Sequence, residues 1–246
     1  MLKAAIEKIL TLAKPVTVQV GGRSFLLGGS GDYDRVPEED CAEPLAVGTL
    51  SAILDYITGG ADENALDTER RFIIHVRDHQ SVDLCMELNR DKRRETLLRA
   101  CTAPARFPEG RFLDVESFVI TMQQYFVDGE NVRALLKLVS NVTDGNSVQQ
   151  TDDGVSQSVT ARSGISLVQR ETVPNPVTLA PYRTFREIEQ PESPFVFRLR
   201  GGGDGVSAAL FTADGNQWQY EAVQRIREYF VRSLPPELAD EVIILA

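Results

Sequence analysis

Five side chains in one stretch are of the types that hold an anion. Tyr182, Arg183 and Arg186 lie in APYRTFRE, and Arg198 and Arg200 alternate on the run FVFRLR that follows. A planar guanidinium beside an aromatic ring can clamp a phosphate or carboxylate, or pair across a protein interface. The same stretch carries Glu187, Glu189 and Glu192, and pairing with such neighbours is the commoner use of surface arginines. The only two histidines, His75 and His79, stand four apart in HVRDH. The helical zinc motif needs glutamate after the first histidine, and here Val76 takes that place. The preceding Phe72-Ile73-Ile74 predicts a strand, on which positions i and i+4 lie more than ~12 Å apart. No metal and no cofactor is expected.

The glycine-rich stretches read as turns. Gly201 to Gly205 lacks the lysine-serine ending of a phosphate loop and runs into a strand rather than a helix. GSGDYD, Gly29 to Asp34, opens an acidic loop that continues through Glu38, Glu39, Asp40 and Glu43. It lacks the length and terminal glutamate of a calcium loop. Gly29-Ser30-Gly31 is not a nucleophile elbow, and nothing singles out a carboxylate pair among the 36 acids. No catalytic residue is assigned and a non-enzymatic protein is expected.

The net charge of −10 repels a phosphate backbone, so a nucleic-acid partner is disfavoured. The one basic run, Arg90 to Arg94, reads as a solvated turn between strands. Three cysteines, Cys41, Cys85 and Cys101, form neither a disulfide framework nor a zinc pattern. No run reaches the roughly 18 apolar residues that span a bilayer, so no membrane association is expected. The opening MLKAAIEKILTLAKP is broken by Glu7, Lys8 and Lys14, and reads as an amphipathic helix over 2–13 rather than a signal peptide. A cytoplasmic location is expected.

The elements around these residues predict an α+β fold: antiparallel hairpins and a meander packed on amphipathic helices. Val16 to Val20, Gly21-Gly22 and Arg23 to Leu27 read as a hairpin with a two-residue turn. Leu50, Ile53, Leu54 and Ile57 share a helix face, with Thr49 as cap and Gly59-Gly60 as stop. Phe72 to Val76, Val82 to Leu88 and Glu95 to Thr102 read as an antiparallel meander. Asp114 caps a helix striped by Val115, Phe118, Val119, Met122 and Phe126. A second helix carries Val132, Leu135, Leu136 and Val139, and the pair is expected at the centre of the first half's core.

Val142 to Gln150 and Val155 to Arg162 then read as a long polar hairpin. Ser156, Ser158, Thr160 and Arg162 fall on one face, and Val155, Gln157, Val159 and Ala161 on the other. Such a hairpin builds no core alone. It can project, line a polar cavity or meet a neighbouring subunit, or be an exposed edge without a role. A strand interrupted at Pro181 is expected over Val177 to Phe185. A hairpin of Phe195 to Arg200 with Val206 to Thr212 follows. A helix from Gln217 to Arg232 with Trp218, Ala222, Ile226 and Phe230 inward comes next, then a strand, Glu241 to Leu245. Residues 1–110 are read as an N-terminal subdomain and 111–246 as the rest, with no linker between them and one continuous body the alternative.

The segments DDGVSQSVTARSG, VPNPVTLAPYRTFREIEQPESPFVFRLR and AALFTADGNQWQYEAVQRIREYF resemble the YfdQ-like family of phage and prophage proteins. The likeness is strongest from about Asp152 to Phe230. PVTVQVGGRSFLL and LAVGTLSAILDYI match in pattern. The resemblance implies a phage-encoded protein of the host cytoplasm and transfers no functional residue. Three readings follow. The first is a non-enzymatic accessory protein that self-assembles into a ring or shell, with Val155, Ser156, Gln157, Ser158, Val159, Thr160 and Arg162 at the oligomer interface. The second is an anti-defence or host-interaction protein. It would imitate nucleic acid, or sequester a nucleotide signal through Tyr182, Arg183, Arg186, Arg198 or Arg200. The third is a recombination factor that binds single-stranded DNA, which the charge opposes.

Overall fold

The computed structural model describes residues 16–21, 23–27, 33–36, 41–62, 66, 69–143, 147–152, 156–163, 166–202 and 205–246. At 27, 33–35, 141–143, 147–152, 156–163, 166–174 and 201–202 it describes the backbone alone. The helix expected over 2–13 lies outside these residues, as does most of the acidic loop.

Strands β1 (Val16–Val20) and β2 (Arg23–Leu27) pair with Val16 opposite Leu27 and Val20 opposite Arg23. Gly21 takes φ +61°, the left-handed conformation that a two-residue hairpin turn demands. β3 (Tyr33–Arg35) completes a three-stranded sheet in the order β1-β2-β3. β4 (Leu45–Val47) leads to helix α1 (Ser51–Thr58). Thr49 does not cap this helix. The Glu187 Oε1 atom, from far along the chain, accepts from the amides of Leu50 at 2.7 Å and Ser51 at 3.4 Å. A carboxylate there also meets the positive end of the helix dipole.

The meander forms as expected, as β5 (Phe72–Asp78), β6 (Ser81–Met86) and β7 (Thr96–Cys101). After β8 (Leu113–Asp114), Asp114 caps α2 (Val115–Tyr125) by accepting from the Ser117 amide at 2.9 Å. Helix α3 (Glu130–Thr143) runs through the start of the strand expected from Val142. β9 (Ser147–Asp152) and β10 (Ser156–Ser163) follow, and β11 (Ser166–Pro174) adds a third strand, so the expected hairpin is a sheet in the order β11-β10-β9.

β12 (Val177–Leu179) is shorter than the expected strand. Pro181 has no amide to continue the ladder; the backbone on either side of it bonds to Tyr125 and Val127, and from Arg183 a buried side chain takes over the backbone bonding. Gln190 Oε1 accepts from the amides of Arg183 and Thr184, and its Nε2 donates to the carbonyls of Phe185 and Ile188. The loop over 180–192 is thereby closed on one amide. β13 (Ser193–Gly202), β14 (Gly205–Thr212), helix α4 (Gln217–Ser233), a 3₁₀ turn (Pro236–Leu238) and β15 (Val242–Leu245) end the chain.

Two cores result. Parallel strands β4 and β15 extend the meander to the order β15-β5-β6-β7-β4, and α1 and α4 cover one face of it. Ile53, Ile74, Leu84, Phe185, Ile226 and Phe230 meet there. The second core lies between α2, α3 and the sheet β12-β13-β14-β8, with Phe118, Met122, Leu135, Phe195 and Phe197 at its centre. The helix pair therefore packs on strands of the second half rather than at the centre of the first. Their stripes match that sheet, and α1 and α4 already occupy the other. The core changes near residue 110, while α4 and β15 return to the first sheet. The architecture is α+β. Among the described residues, no helix is long and apolar enough to cross a membrane.

Candidate functional site

The loop closed by Gln190 places Arg183 where the two cores meet. Its Nη2 donates to the Pro191 carbonyl at 3.2 Å and to Ser193 Oγ, and that hydroxyl donates to Asp214 Oδ2. Its guanidinium carbon lies 4.0 Å from the ring centre of Trp218 in the first turn of α4. The His79 ring meets the same indole edge-on, at 4.6 Å and 77°. The Thr184 hydroxyl donates to the His79 carbonyl at 2.5 Å, fastening the β5–β6 turn to the loop. The Arg183 Nε atom is buried without a hydrogen-bond partner. Burial lowers the Arg183 pKa to about 10, against the pull of Asp214, Glu109 and Glu221.

A cleft of about 420 Å³ opens beside this arginine. Six segments that are distant in sequence build it: the β5–β6 turn, residues 104–109, the end of α2, the loop after β12, the end of β14 and the start of α4. Phe107 lines it and packs on Phe126 and Phe195, which ties the wall to the second core. Glu109 also lines it, with Oε1 accepting from the amide and hydroxyl of Thr212. Arg106 is exposed, and among the described residues no hydrogen bond or ion pair engages it. Burial, with Arg183 and Arg106 nearby, pushes the His79 pKa down, and Asp78 only partly offsets this. The site thus presents one fixed cation, one free cation, an imidazole held toward its neutral form and one carboxylate.

The five arginine-stretch residues do not form one cluster. Tyr182 and Arg183 line the cleft, and Arg186, Arg198 and Arg200 do not. Arg186 stacks on the Tyr182 ring at 3.8 Å, and Arg200 lies over Phe112 at 4.0 Å. Arg198 donates to the carbonyl of Phe197 at 3.3 Å. Two of the acids expected to balance them are used elsewhere: Glu187 caps α1, and Glu189 pairs with Arg225 at 3.4 Å. Val155 lies outside the described residues. Ser156, Gln157, Ser158, Val159, Thr160 and Arg162 are placed by their backbone on β10, the central strand of its sheet. That strand is bonded on both sides, so among the described residues β9 and β11 are the sheet's edge strands.

His75 is on β5 and His79 in the following turn, and the described residues contain no group of three or more metal-binding side chains. Cys41, Cys85 and Cys101 are free thiols. No motif or spacing marks His79, Arg106, Glu109 and Trp218 as sharing a site. Trp218 reads there as a core residue, and it is one, its ring buried beneath Arg183. Comparison with protein-family models, curated proteins and solved structures found no match.

Proposed function

We propose that the chain is a non-enzymatic phage or prophage accessory protein that self-assembles into a closed homo-oligomer in the host cytoplasm. The observation that carries the reading is the exposure of β1. Among the described residues it is an edge strand of its sheet, and none of its five residues is buried. Val16, Val18 and Val20 alternate onto one face, with Phe25 directly opposite Val18. Val16 and Val20 are 55% and 61% exposed. An apolar strand with a free edge is a template for pairing with another chain. A second copy supplies the same strand, and symmetric closure is the usual outcome for soluble homo-oligomers.

The phage setting rests on the YfdQ-like resemblance. The non-enzymatic reading rests on the motifs weighed in the sequence. Hydrogen exchange tests the contact: the outward amides of Val16 to Val20 become protected as protein concentration rises. Exchange of these amides that is independent of concentration contradicts it.

A further inference from the structure

We propose that the cleft around Arg183 binds a small molecule with a flat ring and one oxyanion, by chemical class a nucleoside monophosphate. This site is independent of self-assembly, and either can fail alone. Arg183 is preorganised for an oxyanion. Trp218 fixes the plane of its guanidinium, and the Pro191 carbonyl and Ser193 hydroxyl hold Nη2. With both Nη2 hydrogens engaged there, Nη1, which no described residue engages, is the nitrogen left to donate a charge-assisted hydrogen bond to an oxyanion.

The rest of the cleft narrows the class. Arg106 at the rim provides a second cation that no described residue engages. Two cations against one carboxylate suit a single phosphate better than a polyphosphate, which Glu109 would repel. Tyr125, Tyr182 and Phe107 give the lining aromatic surface on which a base can stack. Glu109 spends Oε1 on Thr212, and no described residue engages its Oε2. That oxygen can accept from the N–H edge of a base. The volume of about 420 Å³ falls in the range of small-molecule sites.

Trp218 is the only tryptophan in the chain, so its fluorescence reports on this cleft alone. The full-length protein is titrated with GMP, AMP, GTP and inorganic phosphate, with calorimetry in parallel. The expected result is a saturable change with GMP or AMP, and binding about ten-fold or more weaker for inorganic phosphate and for GTP. Arg106→Gln should weaken monophosphate binding by about ten-fold or more, since a hydrogen bond to a charged group is lost. This residue is exposed, so the thermal melt should not move. Arg183→Lys keeps the charge and loses the planar group held by Trp218, Pro191 and Ser193, and a loss of similar size is expected wherever its melt matches the parent. No fluorescence change and no heat with any probe overturns the proposal. So does binding that Arg106→Gln leaves unchanged. Inorganic phosphate binding as tightly as GMP overturns the flat-ring assignment.

Discussion

If β1 is the contact proposed above, replacing Val16 and Val20 with threonine should take the proposed oligomer apart while leaving each copy folded. Both valines lie on an edge strand and face water over more than half their surface. Removing a valine side chain wholly from water is worth roughly 1.5–3 kcal/mol, so the exposed half of each is worth about 1 kcal/mol. Two valines per copy, doubled across a twofold contact, give about 4 kcal/mol, or roughly a thousand-fold in the dissociation constant. Threonine keeps the β-branched shape that suits a strand, so the hairpin itself is retained. Sedimentation velocity over a dilution series of parent and V16T/V20T measures the shift. A variant whose dissociation constant stays within about three-fold of the parent would show that this face is not the contact. A variant that melts well below the parent at monomer concentrations would show that the valines serve the fold instead.

Two further outcomes test the frame around the cleft. Glu187→Ala should cost about 1–2 kcal/mol, the usual worth of a helix cap with its dipole contribution, and lower Tm by roughly 2–8 °C. Glu187→Gln should recover part of that, because the acceptor stays and the charge goes, and a melt unmoved by either substitution refutes the capping role. His79 gives a pH signature. Its folded pKa lies below the ordinary 6.5, so the unfolded chain takes up the proton first. Stability from this group is complete above that value and lost as pH falls through the lowered one. Asp78, whose carboxyl is also held below its ordinary 3.8, acts in the same direction only in stronger acid. Chemical denaturation between pH 7.5 and pH 5 should therefore show a decline that His79→Gln removes, and an equal decline in both proteins contradicts the assignment.

What the sequence made legible was local. The stripe Trp218, Ala222, Ile226 and Phe230 predicts the buried face of α4, and all four are buried. Asp114 before an apolar stripe predicts the cap, and Gly21-Gly22 between β-formers predicts the first turn. Contacts across long separations left no local trace. Glu187 caps a helix 137 residues away, and the parallel partners of β5 and β7 come from the far end of the chain and from before α1. The strand expected through Phe185 was lost because Gln190, a polar residue with no period of its own, bonds that backbone instead. β11 was missed because it packs beside β10 in a stretch too polar to show alternation. The site was half legible: Arg183 and Tyr182 stood out by type. The residues that complete the cleft come from segments joined only by the meeting of two cores.

Self-assembly is tested most directly by the mass of the purified full-length chain, measured by light scattering on a sizing column. A single discrete species at a multiple of 27.2 kDa, stable on dilution, is the predicted result. A species that stays at 27.2 kDa at the highest attainable concentration contradicts it.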